Sequence, residues 1–325
     1  MHNFVYERAN SADNAMDLGH RDGAAILAGG TELLNWMRIG IESPDLLVDI
    51  RDLGHLDRIE EIEGGLRIGA LCRLNDVACH PAIKRDFPVL SSAILQSASA
   101  QLRNLATIGG NPLQRVRCPY FREETVNACN KRHAGSGCAA YEGHNERMAI
   151  FGWTPECVAV QPSDPAVAFA ALDAVVIVQS TDGTRRIPMR EFHVLPDEDP
   201  SAHSVLGRGE LITGIEISTP APHSAYLKVR ERQSYEYALV SAAVTLDLDG
   251  ETIRNARIAL GSVAMRPWRL LATEDLLVGK RLGSKDIAEA VDAGFAEARA
   301  LSGNAYKITL ARNAALRAIE LASEN

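Results

Sequence analysis

The sequence predicts an α+β chain built of two or three packed units. Three observations carry this. The chain has 325 residues, more than one small hydrophobic core accommodates. In residues 1–219, short apolar runs of strand type are interspersed with stretches of helical spacing. From Ala225 the texture changes to consecutive strand patterns followed by consecutive helical patterns, which marks a separate α+β unit. The boundary is placed near residue 220, at Pro220-Ala221-Pro222.

Residues 1 to about 52 read as a small βαβ-like subdomain. An apolar run ends in Gly29-Gly30, and a helical pattern follows for which Thr31 is a candidate N-cap. Asp45 to Ile50 is the next strand. Residues 53–219 form a larger α/β subdomain. In it, Leu56 to Gly69 reads as a hairpin turning at Gly64-Gly65. Leu74 to His80, Val89 to Ser99 and Ala166 to Leu172 are helical; Ala174 to Gln179 and Leu211 to Ile217 are strands. In residues 220–325, Ala225 to Arg230, Ala242 to Leu248 and Ala256 to Leu260 are strands, with a turn at Asp249-Gly250. Trp268 to Leu277, Ser284 to Ala300 and Lys307 to Glu320 follow helical spacing. No internal repeat or low-complexity tract is present.

Composition narrows the function. Hydrophobic content is 46% and charged content 23%, as in soluble globular proteins. A net charge of −8 argues against binding nucleic acid or an anionic membrane surface. The most apolar stretch, Val158 to Val178, is broken by Pro162, Asp164, Pro165 and Asp173, so no membrane insertion is expected. The start, Met1 to Arg8, lacks a basic and then an apolar segment, so no export signal is expected in this chain. A periplasmic location through co-export with a signal-bearing partner, or a cytoplasmic one, both fit.

Two double-glycine elements are candidate ligand loops. The first is Ala28-Gly29-Gly30-Thr31-Glu32-Leu33 and the second Ala106-Thr107-Ile108-Gly109-Gly110-Asn111. Glycines let backbone N–H groups approach a phosphate closely. Neither loop is a G-x-G-x-x-G or Walker A motif, so a Rossmann NAD site or a P-loop is not supported. Each alone reads first as a plain strand-to-helix turn. Two such loops roughly eighty residues apart suggest a dinucleotide held across its diphosphate.

These two loops, with Leu27 and Leu34 flanking the first and Arg103-Asn104-Leu105 leading into the second, closely resemble the FAD-binding subunits of molybdenum hydroxylases, the xanthine dehydrogenase and carbon monoxide dehydrogenase group. Pro162-Ser163-Asp164, Glu210 to Ile217, Lys228, Glu236 to Ser241 and Gly261 to Ala264 with Pro267-Trp268-Arg269 follow in that family's order. The resemblance implies a two-subdomain FAD-binding domain of the vanillyl-alcohol oxidase (PCMH) type over residues 1–219. A C-terminal domain of the CO dehydrogenase flavoprotein type would follow over 220–325. It implies that the stretch Leu27, Ala28, Gly29, Gly30, Thr31, Glu32, Leu33 and Leu34 binds FAD from one side. Thr107, Ile108, Gly109, Gly110 and Asn111 would bind it from the other. Asp164, Ile212 and Lys228 would lie near the ribityl chain or the ring, and Ser97 would stand where the family often has an aromatic contact. Read without the family, Lys228 is a solvated lysine after a strand.

Between the second glycine loop and Ser163-Asp164 lies an insertion of roughly fifty residues, at about 112–158. It is rich in Arg, Asn, Gly and Cys and has little period, so it needs a function or a staple. Four of the six cysteines, Cys118, Cys129, Cys138 and Cys157, are spaced C-x10-C-x8-C-x18-C in or beside it. Zinc, a [4Fe–4S] cluster, and unligated or disulfide cysteines are the alternatives. The absence of a tight C-x2-C pair disfavours zinc, and Cys118-Pro119 resembles ferredoxin ligation. Gly135 and Gly137 are candidates to direct N–H groups at cluster sulfurs. From Arg115 to Arg147 there are six Arg and Lys against four Glu, suited to offset an anionic cluster. Arg117-Cys118, Cys129-Asn130-Lys131-Arg132 and Gly135-Ser136-Gly137-Cys138-Ala139-Ala140 resemble the flavin subunits of bacterial periplasmic aldehyde oxidoreductases. That resemblance implies a [4Fe–4S] cluster on the four cysteines. It also implies partners: a molybdenum-cofactor catalytic subunit that oxidises aldehyde to carboxylic acid, a small [2Fe–2S] subunit, and an external electron acceptor. Flavin subunits acting with xanthine, CO or aromatic acyl-CoA enzymes, a stand-alone flavin oxidase, and a zinc-stapled scaffold are the competing readings. Cys72 and Cys79 are expected to be structural, and the nine histidines show no ligand spacing.

Overall fold

A computed structural model describes residues 2–325. Its strands form three sheets. In the first, β1 (Val5–Arg8), β2 (Ala24–Leu27) and β3 (Leu46–Asp49) run parallel, with β3 in the middle and buried along its whole length. A parallel central strand is covered on both faces, which is why Leu46-Leu47-Val48 reads as a continuous apolar run. Ser11 starts the helix Ala12–Gly19 by accepting the Asn14 N–H at 3.0 Å. The helix Leu33–Arg38 follows β2, but Thr31 does not cap it. Glu32 occupies the cap position without a side-chain bond, because the turn at residues 31–32 delays the helix by a residue.

The second sheet contains β4 (Ile59–Ile62), β5 (Gly65–Gly69), β6 (Val175–Ser180), β7 (Gly183–Pro188) and β8 (Leu211–Ile217) in the order β4-β5-β8-β6-β7. All neighbours are antiparallel. β8 is buried at every residue. The helices Leu74–Cys79, Pro88–Gln96 and Asp164–Ala171 pack here around Ile68, Val77, Leu90, Phe169, Val176 and Ile215. β7 was not expected from the sequence: Gly183-Thr184-Arg185-Arg186 is exposed, so it carries no apolar alternation.

The third sheet is antiparallel: β9 (Ser224–Val229), β10 (Val240–Asp249), β11 (Thr252–Gly261) and β12 (Trp268–Arg269). The helix Tyr306–Glu324 packs on β9 and β10. Two helical expectations need correction. Trp268-Arg269 is an edge strand, and the helix begins only at Leu271–Leu277. Arg269 there meets Glu274 at 2.6 Å and Asp173 at 2.5 Å, while the Trp268 ring stacks on Phe151 with centroids 5.1 Å apart. The helix expected over Ser284 to Ala300 covers only Asp286–Ala293. At Gly294 the chain passes so close to Thr273 that a Cβ would strike its hydroxyl.

The insertion folds as a lobe with its own core: Val116, Phe121, Met148 and Trp153 pack with Trp36, Leu195, Met265 and Leu301. Side chains answer its irregular backbone. The Lys307 ammonium is fully buried and donates to the carbonyls of Arg147 (3.1 Å), Met148 (2.8 Å) and Ser262 (2.7 Å). Asn304 donates to Met148 and Ala149, and the Trp153 indole to Arg299. A segment without periodicity is thus held by polar ties to the C-terminal unit rather than by ladder hydrogen bonds.

Candidate functional site

A cleft of about 700 Å³ runs between the three-stranded sheet, the helices of the second sheet and the C-terminal unit. This is within the range of small-molecule and cofactor sites. Both glycine loops face it: Ala28, Gly29, Gly30, Thr31, Glu32 and Leu33 on one side, and Thr107, Gly109, Gly110 and Asn111 on the other. Ser97, Asp164, Ile212 and Lys228 also line it. Three expected residues do not. Leu27 packs with Met37 and Leu47, Ile108 is in the main core, and the Leu34 side chain is exposed. Ser97 turns its hydroxyl to the Ile94 carbonyl at 2.6 Å.

The two loops differ in what they offer. Among the described residues, no hydrogen bond engages the backbone N–H groups of Gly29, Gly30, Thr31 and Glu32. Gly30 sits at φ +71°, a conformation that favours glycine. In the second loop the amides from Ile108 to Asn111 are spent, contrary to expectation. Gly109 donates to Ala70 (2.9 Å), Gly110 to the Thr107 hydroxyl (3.3 Å) and Asn111 to the Thr107 carbonyl (3.0 Å). Its glycine serves close packing: a Cβ on Gly109 would lie 2.6 Å from that of Ala70. Asn111 is fixed by Ser163, whose hydroxyl donates to Asn111 Oδ1 at 2.5 Å. Gln161 and His193 donate to the Pro112 carbonyl at 3.1 and 2.8 Å. Nothing in the local sequence marks either as a support of this loop.

A Cβ on Gly29 would collide with the Leu105 carbonyl oxygen and stand 2.8 Å from its carbon. Backbone cannot yield as a side chain does. Gly29→Ala should therefore shift the loop, at a cost of about 1–3 kcal/mol. Flavin retention, read as bound-flavin absorbance after gel filtration, should fall about tenfold.

The carboxylates along the cleft are paired, so an anionic ligand would not meet them bare. Glu42 pairs with Arg115, Glu32 with Arg117, Glu210 with Arg185 at 2.6 Å, and Asp164 with Lys228 at 2.7 Å. Lys228 is not a solvated lysine. The alternation of β9 puts Tyr226 and Lys228 on one face, opposite the first residue of the helix Asp164–Ala171. Tyr226 donates to Asp164 Oδ1 at 2.5 Å, and Lys228 Nζ also reaches the Gln96 carbonyl at 3.2 Å. Burial pushes the Asp164 carboxyl up, opposed by Lys228 and Tyr226. Arg147, Arg232, Tyr235 and Tyr237 also line the cleft.

The four cysteines of the insertion converge. Cys118, Cys129, Cys138 and Cys157 line one small void with Tyr120, Phe121, Lys131 and Glu156. Cys129 and Cys138 face each other across an isolated antiparallel bridge. Asn130 knits the site. Its side chain accepts from Gly137 N–H (3.1 Å) and donates to the Glu156 carbonyl (2.8 Å). Gly137 therefore has no amide to give a sulfur. Backbone N–H groups of Tyr120 and Phe121 lie near the Cys118 thiol, those of Ala140 and Val158 near Cys138 and that of Ala159 near Cys157, while the Tyr141 N–H goes to the Cys138 carbonyl at 3.1 Å. Burial pushes the Cys118 thiol up to about 12 and Cys157 to about 11. The basic residues are also differently placed from the expectation. Arg115, Arg117 and Arg147 pair with Glu42, Glu32 and Glu231. Lys131, its pKa lowered by burial, is offset by Cys157, Asp199 and Cys129, so it is the basic residue that faces the thiols. No three His, Cys, Asp or Glu side chains among the described residues are close enough to hold a single metal ion. Cys72 is buried in the main core as expected, its thiol pushed up to about 12 by burial, but Cys79 is exposed.

The family of FAD binding domains in molybdopterin dehydrogenases matches residues 2–220, and the CO dehydrogenase flavoprotein C-terminal domain matches residues 225–322. The chain belongs to the FAD-binding medium subunits of the molybdenum hydroxylases. It is 44% identical to the aldehyde oxidoreductase FAD-binding subunit PaoB of Escherichia coli, over 95% of each chain. It is 28% identical to the glyceraldehyde dehydrogenase medium chain of Sulfolobus acidocaldarius, over 89% of this chain and 86% of that one. The reconstituted CO dehydrogenase of Oligotropha carboxidovorans superposes with a TM-score of 0.78 at 25% identity, covering 99% and 98% of the two chains. As an oxidoreductase's flavin subunit, this chain has residues that fit the group. Free amides, a left-handed glycine and a long cleft with paired carboxylates suit an anionic dinucleotide. No described helix is long and apolar enough to cross a membrane.

Proposed function

We propose that this chain is the FAD- and [4Fe–4S]-carrying electron-transfer subunit of a molybdenum-dependent aldehyde oxidoreductase. The observation that carries it is the convergence of four cysteines on one void, in a chain 44% identical to the aldehyde oxidoreductase subunit. Four thiols lining one void suit a cluster with several iron corners. Gly29, Gly30 and Thr31 would hold the FAD diphosphate through their free N–H groups, with Thr107, Gly109, Gly110 and Asn111 shaping the facing wall. Asp164, Ile212 and Lys228 would border the ribityl chain and ring. The buried Lys228–Asp164 pair keeps a fixed ammonium at the cleft wall without a net local charge. Bound FAD supplies the ability to take electrons singly and pass them on in pairs; the protein supplies placement and electrostatics.

The partners follow from this reading. A molybdenum-cofactor subunit oxidises the aldehyde, a small [2Fe–2S] subunit delivers electrons to this chain, and an external acceptor removes them. Co-export with a signal-bearing partner would place the complex in the periplasm. The chain, purified with iron and flavin supplied, should carry FAD and iron with little zinc. Aldehyde oxidation should require the molybdenum partner. Zinc in place of iron would overturn the cluster, and absence of flavin absorbance would overturn the central claim.

A further inference from the structure

We infer that Arg117 couples the cysteine void to the flavin cleft, so that filling either one tightens the hold on the other. The inference rests on the cluster reading above. Arg117 immediately precedes Cys118 and is mostly buried. Its guanidinium lies 5.2 Å from the centroid of the Trp36 ring and 4.6 Å from that of Tyr237, and it pairs with Glu32. Those partners come from different parts of the chain. Glu32 belongs to the first glycine loop, Trp36 to the helix that follows it, and Tyr237 to the C-terminal unit where it borders the cleft. Beyond Cys118, Arg122 lies 4.9 Å over the same Trp36 ring, and Phe121 meets it edge-on at 5.8 Å. The segment 117–122 therefore clasps the flavin-side helix at three points, with a cluster ligand among them.

The physical link is direct. A cluster bond at Cys118 fixes the backbone from which Arg117 projects. That holds the guanidinium plane between two rings and holds Glu32 against it, at the loop whose free amides face the cleft. Flavin binding orders the same loop from the other side. Coupling of this kind is reciprocal, and its usual size is about fivefold to 150-fold in affinity. A lysine would keep the charge opposite Glu32 but has no plane to lie between Trp36 and Tyr237. Arg117 is thus a positioning residue.

The test is a cycle on the full chain, with and without Arg117→Lys, each with Cys138 intact or changed to Ser. FAD dissociation constants and the visible circular dichroism of bound flavin are measured, with iron content. Cys138→Ser should weaken FAD about tenfold with Arg117 present and less than about twofold with Lys. The flavin dichroism should change with cluster loss only when Arg117 is present. Tyr237→Leu, which removes one face of the stack, should reduce the coupling in the same direction and serves if the Lys variant does not fold. Equal weakening in both backgrounds, or no weakening when Cys138→Ser loses the iron that the wild-type chain binds, overturns the coupling alone. A wild-type chain that takes up no iron overturns the cluster reading, and the coupling with it.

Discussion

Lys228→Met should cost the folded chain about 3–5 kcal/mol, the usual price of leaving one member of a buried ion pair behind. Asp164 and Lys228 are 6% and 1% exposed, so water does not take over from the missing partner. The Tyr226 hydroxyl remains, but a neutral donor does not balance a carboxylate. With Lys228 gone, the burial that already pushes the Asp164 carboxyl up is opposed only by the Tyr226 hydroxyl and Arg230, and the group takes a proton. The folded state then binds a proton that the unfolded state lacks above its own pKa near 4. Stability of the variant should therefore fall as pH rises from about 5 to about 8. Asp164→Asn with Lys228→Met should recover much of the loss, because the pair is removed together. Urea unfolding of the four chains at both pH values reads this out. Equal stability of Lys228→Met at the two values, or no recovery in the double variant, would show that the pair is not closed as the structure has it.

The same pair shows what was legible in the sequence. Alternation along β9 is visible in Ala225-Tyr226-Leu227-Lys228, and it puts Tyr226 and Lys228 on one face. That this face is turned inward on Asp164, 64 residues away, depends on how two units pack, which no local pattern encodes. The glycine loops were legible because glycine leaves a backbone signature. Which loop keeps free amides was not: that depends on whether Ala70 lies within reach of Gly109. The insertion shows the opposite balance. Its lack of period hid its core, yet the cysteine spacing alone marked four residues that the fold does bring to one void. Three of its five arginines, Arg115, Arg117 and Arg147, are ties to the glutamates of other units rather than counter-charges for a cluster, since charge counted along a segment says nothing about which partner is nearer.

On the proposed cluster reading, serine at Cys118, Cys129, Cys138 or Cys157 should drop the iron content from about four per chain to below about one. A hydroxyl keeps the size of the thiol, but it is a poor ligand because it does not ionise in this range. Cys72→Ser should keep its iron, because Cys72 packs in the main core, and Cys79→Ser likewise, because Cys79 is at the surface. The structural consequence should be uneven. Residues 145–157 are tied to the C-terminal unit by Lys307, Asn304 and the Trp153 indole, none of which depends on the cysteines. Residues 118–138 have fewer such ties: Arg122 and Phe121 on Trp36, and Lys131 on the Ala202 carbonyl. Loss of the cluster should therefore open 118–138 to protease first and leave 145–157 protected, as peptide mapping after brief digestion would show. Cleavage at both stretches together would mean that the cluster holds the whole lobe. Iron retained by all four serine variants, or lost from Cys72→Ser, would place the ligands elsewhere.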